Sequence, residues 1–157
     1  MFKKLLIILL TLALIIGSVG CSGTKQTAGS DDNWKIGIVT GTVAQNEEEY
    51  RAAENVLAKY GAEHVILQTY PVKFMDEQET VIANIAGIAA DPDVKALVIC
   101  QGVPGTSAAL DKVKETRDDL LIIVGTSGED PPMIAARADI CFQMDELGMG
   151  YAIIDQA

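Results

Sequence analysis

Residues 35–41 read Lys-Ile-Gly-Ile-Val-Thr-Gly, a short apolar run that opens into a small polar loop at residues 41–45. A run of this length and composition is typical of a buried strand. Asn46 and Glu49 then have the spacing of a capping box at the start of a helix. Apolar residues follow at helical spacing, at Tyr50, Ala53, Leu57 and Tyr60. Gly61 supplies a stop, so the segment predicts one complete strand-loop-helix unit.

The same alternation repeats along the chain. Further strands are predicted at residues 64–69, 96–100, 120–124 and 140–144. A second helix is predicted to start at Asp76, with Glu79 in the capping position and a buried stripe at Val81, Ile82, Ile85 and Ile88. A third is predicted to be capped by Thr106 or Ser107 and to run to about Arg117, and a short helical turn is predicted near residues 133–137.

These strands are continuous runs of Val, Ile and Leu rather than alternating patterns, which predicts that both of their faces are buried. Helices between such strands favour parallel pairing with right-handed crossovers. We therefore predict the α/β class: a doubly wound, parallel, five-stranded sheet in the order 2-1-3-4-5.

The first twenty residues have the features of an export signal. Lys3 and Lys4 precede an unbroken apolar run at residues 5–16, and residues 18–20 are small or compact. The run is shorter than the ~20 residues that a membrane span needs. The sequence therefore predicts a signal peptide at residues 1–20 and an exported protein.

Cys21 directly follows this leader and resembles the lipobox cysteine of bacterial lipoproteins, although Ser18 stands where that motif usually has Leu. The resemblance implies cleavage before Cys21, lipid attachment to its sulfur and anchoring at the extracytoplasmic face of the cell membrane. Residues 21–33 then form a flexible tether. An ordinary secretory signal with an incidental cysteine is the alternative.

The composition excludes several function classes. The formal charge is −10, and loss of Lys3 and Lys4 with the leader makes it −12, which argues against nucleic acid as a partner. Cys100 and Cys141 are flanked by apolar residues and are expected to be small buried residues rather than a disulfide or metal pair. Metal-binding, phosphate-loop and His-dependent triad motifs are not recognisable, and His64 has no evident partner, so we predict no metal, no cofactor and no enzymatic activity.

The predicted units and the segment Asp145-Glu-Leu-Gly-Met-Gly-Tyr-Ala152 together resemble the N-terminal lobe of the type I periplasmic-binding-protein fold. More narrowly, the chain resembles a group of bacterial lipoproteins of that superfamily, related to the solute-binding proteins of ABC transporters and to the basic membrane protein lipoproteins. Asp145, Gly148, Gly150 and Ala152 match its acidic strand end and Gly/Ala helix pattern. The resemblance implies a ligand-binding lobe at residues 34–145 that takes a small polar ligand for an ABC permease or a membrane sensor.

In that superfamily a crossover helix leads into a second lobe. Residues 146–157 are predicted to begin this helix, with an apolar stripe at Leu147, Tyr151 and Ile154. The stripe reaches Ala157 without Gly, Pro or a basic last turn. We therefore expect a second lobe that is missing through truncation or is supplied by a separate chain.

In open α/β sheets, ligands bind at the carboxyl ends of the strands near the point where the strand order reverses. That rule nominates the small, hydroxyl and amide residues that follow strands one, three and four: Thr40, Gly41, Thr42, Gln101, Gly102, Thr126 and Ser127. Asp145, after strand five, is added from the family resemblance. Free N–H groups of the adjoining helix starts could hold a carboxylate or phosphate oxygen there.

Other residues near this rim are expected to be structural. Glu47, Glu48 and Glu49 are predicted to be solvated acids that favour a helix start, and Asp118-Asp119 and Glu129-Asp130 are predicted to be loop charges. The aromatic residues nearest the rim are Trp34, Tyr50, Tyr70 and Phe74. The first loop has no aromatic residue, which weakens a sugar-binding interpretation.

Two other functions are compatible with this sequence. One is a flavodoxin-like, flavin-binding electron carrier, because Thr40-Gly41-Thr42 and Asn46 loosely resemble that family's phosphate loop. The other is a detached sensory domain like those of repressors, although no basic recognition helix precedes the lobe.

Overall fold

The computed structural model describes residues 33–156. The strands are β1 Lys35–Thr40, β2 Val65–Thr69, β3 Val94–Ile99, β4 Leu121–Val124 and β5 Ile140–Cys141. The helices are α1 Glu47–Tyr60, α2 Gln78–Ala89, α3 Thr106–Lys114, α4 Pro131–Ala135 and α5 Glu146–Asp155. The predicted leader, Cys21 and all but the last residue of the predicted tether lie outside the described residues.

The five strands form one sheet in the order β2-β1-β3-β4-β5, with every neighbouring pair parallel. The predicted fold class and strand order are thus confirmed. A helix follows each strand, and the central strand β1 has the predicted bounds. The reversal of strand order lies between β1 and β3, whose carboxyl ends are adjacent.

The main core lies between one face of the sheet and α2, α3 and α4. Its fully buried side chains include Val39, Val81, Ile85, Leu97, Ile99, Leu110, Ile122, Val124 and Ile134. Helix α1 packs on the opposite face, where Ala53 contacts a smaller group around Ile38 and Val65. The sheet is therefore covered unequally.

That second face becomes more exposed with distance from α1. The register aligns Ile38 with Val98, then Ile123, then Ile140. Ile38 is 6% exposed, whereas Ile140 is 41% exposed. The prediction that the strands are buried on both faces is therefore wrong for β4 and β5 within residues 33–156, because α1 is wide enough to cover only β1, β2 and part of β3.

Several helix boundaries differ from the predictions because the capping groups differ. Helix α2 begins at Gln78 rather than Asp76, since Asp76 and Glu77 donate their amides to the carbonyl of Lys73 in a preceding turn. Glu79 therefore lies in the first helical turn and caps nothing. Helix α3 ends at Lys114, short of Arg117.

Strand boundaries also shift at two edges of the sheet. His64 belongs to the turn before β2, where its amide donates to the carbonyl of Gly61. Its ring, expected to lack a partner, stacks on Trp34 at 4.2 Å between centroids, and Nδ1 lies 2.8 Å from the Trp34 carbonyl oxygen. Strand β5 has two residues rather than the predicted five, because as an edge strand it pairs with β4 alone.

Helix α5 differs from the others in having no buried residue. Its exposed apolar side chains are Leu147, Met149, Tyr151, Ile153 and Ile154. Among the helices at residues 33–156, none combines the length and the apolar character that a membrane crossing requires.

Candidate functional site

The carboxyl edge of the sheet has a concave depression of about 390 Å³. Its walls come from the loops after β2, β3 and β4 and from the first residue of α5. The lining residues are Phe74, Met75, Gln101, Val103, Pro104, Thr126, Ser127, Gly128 and Glu146. Three of the eight predicted binding residues therefore share one cavity: Gln101, Thr126 and Ser127.

The three candidates at the end of β1, Thr40, Gly41 and Thr42, do not line this depression. Thr40 is fully buried and donates its hydroxyl to the carbonyl oxygen of Gly41 at 2.8 Å. Thr42 donates both its amide and its hydroxyl to the side-chain oxygen of Gln45. The first loop is therefore closed by its own hydrogen bonds, as short polar loops commonly are.

Gly102 joins the loops after β3 and β4. Its amide donates to the carbonyl of Thr126 at 3.0 Å, and its own carbonyl accepts from Gly128 and Glu129. Because these bonds extend the β3/β4 pairing beyond the strands, they bring Gln101 and Ser127 to the same cavity.

Glu49 and Gln101 form a polar pair across the point where the strand order reverses. Gln101 Nε2 donates to Glu49 Oε1 at 2.8 Å, although the two residues are 52 positions apart. Glu49 Oε2 is buried and has no hydrogen-bond partner among the described residues. Asn46 caps the Glu49 amide, but Glu49 turns to Gln101 instead of completing the capping box. The prediction of a solvated Glu49 is therefore wrong.

Tyr70 is hydrogen-bonded to the main chain of Gln101. It is 2% exposed, and its hydroxyl donates to the main-chain carbonyl of Gln101 at 2.5 Å. Burial raises the pKa of the Tyr70 hydroxyl, and burial followed by the charge of Glu49 raises the pKa of the Cys100 thiol to about 11. Both groups therefore stay protonated at neutral pH.

Glu129 fills the N-terminus of α3. Its carboxylate accepts from the amides of Gly105 and Ser107, both at 2.8 Å, and from the Ser107 hydroxyl at 2.5 Å. Gly105 is the N-cap and has φ +98°, a conformation that favours glycine. Neither Thr106 nor Ser107 is the cap, and Glu129 is not a free loop charge, so both predictions are wrong.

Removing this cap should destabilise the protein. We expect Glu129→Gln to lower the free energy of unfolding by about 1–2 kcal/mol, because an amide has only one oxygen with which to replace a charged acceptor at a helix start. Urea unfolding measures the change. Asp130→Asn is the matched control. It removes the same charge from the adjacent residue, whose side chain makes no capping hydrogen bond. Equal stability of the two variants would contradict the assignment.

Asp145, a predicted binding residue, caps a helix instead of lining the main depression. Asp145 is the N-cap of α5 and accepts from the Gly148 amide at 2.9 Å. It faces a separate recess of about 350 Å³ beside Gln143 and Leu147. Glu146, which the strand-end rule did not nominate, lines both that recess and the main depression.

Comparison with known proteins assigns the chain to a protein family. The chain matches the family described as "Protein of unknown function (DUF3798)" over residues 34–157. It belongs to this family.

Two relatives of this family member come from Treponema pallidum (strain Nichols), and both are described as "Uncharacterized protein". One is 30% identical over 149 residues, which are 90% of this chain and 67% of the relative. The other is 39% identical over 66 residues, which are 42% of this chain and 31% of the relative.

A solved structure with a similar fold is described as a "Putative transcriptional regulator" from Clostridium difficile 630. The two share 25% identity and a TM-score of 0.62 over 69% of this chain. The chain spans about a third, 33%, of that protein. This similarity supports the assigned fold and does not identify a ligand.

The sequence did not indicate the roles of Glu49 and Glu129 because each bonds to residues distant along the chain. It did not indicate Glu146 because the strand-end rule stops at Asp145. A partial signal was available for Glu49, since the third residue of a helix that starts at a strand-order reversal faces the neighbouring loop. Within residues 33–156, no three His, Cys, Asp or Glu side chains group closely enough to hold a metal ion.

Proposed function

We propose that the chain is the ligand-binding lobe of an exported, lipid-anchored solute-binding protein with the type I periplasmic-binding-protein architecture. It captures a small polar ligand and presents it to an ABC-type transporter or a membrane sensor. The observation that carries this proposal is the depression at the carboxyl edge of the 2-1-3-4-5 sheet, where Gln101, Thr126 and Ser127 meet. Ligands of open α/β sheets occupy this edge.

The chemistry of the rim supports binding rather than catalysis. Raised pKa values keep Cys100 and Tyr70, the nucleophilic groups behind the rim, in their unreactive protonated forms. The hydroxyl of Ser127 donates to the Glu129 carbonyl at 2.7 Å and has no basic partner among the described residues. Fixed acceptors around a concave surface suit recognition of a ligand.

The leader-like residues 1–20 and Cys21 support a location of this lobe outside the cytoplasm. Two acyl chains on Cys21 would hold the protein stably at the membrane. Anchoring is tested by expression of the full chain in a bacterium. We expect the wild type to incorporate labelled palmitate and Cys21→Ser to incorporate none.

Ligand binding is tested by a thermal-unfolding screen of the full chain with small polar metabolites. A ligand at 100 times its Kd should stabilise the folded state by about 2.7 kcal/mol through mass action. We expect Gln101→Leu to lose most of this stabilisation, because Gln101 bridges Glu49 and the depression. Asn55→Leu, which removes an exposed amide from α1, should keep it.

Two outcomes would count against the proposal. One is that no compound raises the unfolding temperature of the wild type. The other is that Gln101→Leu and Asn55→Leu respond equally to a compound that does, since the compound then binds elsewhere.

A further inference from the structure

We infer that the ligand of the depression is an organic cation, an amine attached to a short apolar body, rather than a carboxylate or phosphate compound. The inference rests on the proposed function and names the ligand class of the same site. Four features of the described residues carry it.

The first feature is the charge of the carboxyl edge. The loops and helix starts at residues 41–49, 70–77, 100–106, 125–131 and 142–147 form this edge. They contain nine acidic residues: Glu47, Glu48, Glu49, Asp76, Glu77, Glu129, Asp130, Asp145 and Glu146. Lys73 is their one basic residue, and among the described residues only Glu47 of the nine has an ion-pair partner. Such a surface attracts cations and repels anions.

The second feature is the use of hydroxyl donors. Ser127 lines the depression, and its hydroxyl donates to the Glu129 carbonyl at 2.7 Å. A hydroxyl has a single proton to donate, so Ser127 retains only lone pairs for a ligand. A ligand that bonds to this hydroxyl must therefore supply the donor.

The third feature is the orientation of the Gln101 side chain. An ionised carboxylate only accepts hydrogen bonds, so Glu49 holds the Gln101 NH₂ group towards itself. The amide oxygen of Gln101, which has no hydrogen bond among the described residues, is left as a further acceptor at the lining. The orphan Oε2 of Glu49 adds negative charge behind it.

The fourth feature is that side chains already occupy three of the helix starts at this edge. Glu129 fills the start of α3, Asn46 caps α1 beside three glutamates, and Asp145 caps α5. An anionic ligand at the start of α3 would have to displace Glu129. The predicted capture of a carboxylate or phosphate oxygen at these N–H groups is therefore disfavoured.

The apolar residues of the lining indicate the rest of the ligand. Phe74, Met75, Val103 and Pro104 form an apolar side of the same depression, and Met75 is 62% exposed. This wall can cover a short hydrocarbon body, and the Phe74 ring can attract a cation. A primary amine with a few methylene groups would contact both the polar and the apolar lining residues.

The experiment compares three probes that share a similar small apolar body: n-butylamine, butan-1-ol and butanoate. Each is titrated into the ¹⁵N-labelled full chain in nonionic detergent at neutral pH, and amide signals are followed by NMR. We expect n-butylamine to shift the signals of Gln101 and Ser127 and to bind about tenfold more tightly than butan-1-ol, as a charge-assisted hydrogen bond allows. Butanoate should not bind.

Glu146→Gln should weaken n-butylamine binding about threefold, and Glu115→Gln, which removes an exposed charge outside the carboxyl edge, should not. Binding of butan-1-ol or butanoate as tight as that of n-butylamine would overturn the cation assignment and leave the proposed binding lobe in place. No shift at Gln101 or Ser127 with any probe would overturn the assignment and count against the proposed function as well.

Discussion

Gly125→Ala is expected to destabilise the protein by about 3 kcal/mol, the upper range for an overpacked site. A Cβ built on Gly125 would overlap the carbonyl oxygen of Cys100 and lie 3.2 Å from its carbonyl carbon. Both are backbone atoms, so no side-chain rotation can relieve the overlap. The Gly125 amide also donates to Ile99 at 2.8 Å, so relief would pull β4 away from β3.

Gly87→Ala is the matched control. Gly87 lies inside α2, and a Cβ there would meet nothing within 4 Å. Alanine should raise the free energy of unfolding by roughly 0.5–1 kcal/mol because it has the higher helix propensity. Urea unfolding of both variants gives the comparison. Wild-type stability of Gly125→Ala would show that the two strand ends are not as close as described.

Arg117→Ala is expected to lower the free energy of unfolding by about 3 kcal/mol, because it removes charge-assisted hydrogen bonds at a mostly buried position. The guanidinium donates from Nη1 to the carbonyls of Ala89 and Asp91 and from Nη2 to that of Val94, at 2.8–3.0 Å. Its side chain is 14% exposed. Arg117 thus ties the segment after α3 to the end of α2 and the start of β3.

Arg117→Lys separates charge from geometry. Lysine keeps the charge but lacks the planar guanidinium group that donates to three carbonyls. Most of the loss of stability should therefore remain in this variant. Asp119→Asn should have a small effect, since Asp119 is 54% exposed and its ion pair with Arg117 is screened by water. Unfolding in urea at neutral pH measures all three variants. A lysine variant as stable as the wild type would show that charge alone matters.

The same contact gives a pH dependence with a defined sign. The hydrogen bond from Arg117 lowers the pKa of Asp119 below its ordinary value near 3.9. The ionised Asp119 carboxylate therefore stabilises the folded state above about pH 4. This stabilisation is lost as the pH falls through the lower pKa that Asp119 has in the folded state. Arg117→Ala should lack this part of the acid sensitivity.

The repeated strand-helix pattern made the fold predictable. Residues 35–40 form β1 with the predicted bounds because their apolar run, the following loop and Asn46 all specify the same local structure. Parallel direction followed from the helices between the strands, and the order followed from the common doubly wound arrangement. Helix starts were less predictable, because the turn at Lys73 and the contact of Glu129 with α3 decide them rather than local spacing.

The candidate site was predictable in place and only partly in composition. The strand-end rule indicated the edge where Gln101, Thr126 and Ser127 line the depression. It could not distinguish residues that face a cavity from those, such as Thr40, whose donor is already used by a neighbour. Nor could it show that α1 leaves part of the sheet uncovered.

The sequence by itself determined the α/β class, the parallel 2-1-3-4-5 sheet and the edge at which a ligand would bind, because the alternation of strands and helices is local and few topologies accommodate it. Only the tertiary structure decided the polarity of that edge. The partners of Glu49 and Glu129 lie 52 and 22 positions away, so whether each acid is solvated or holds an amide depends on which loops the sheet brings together.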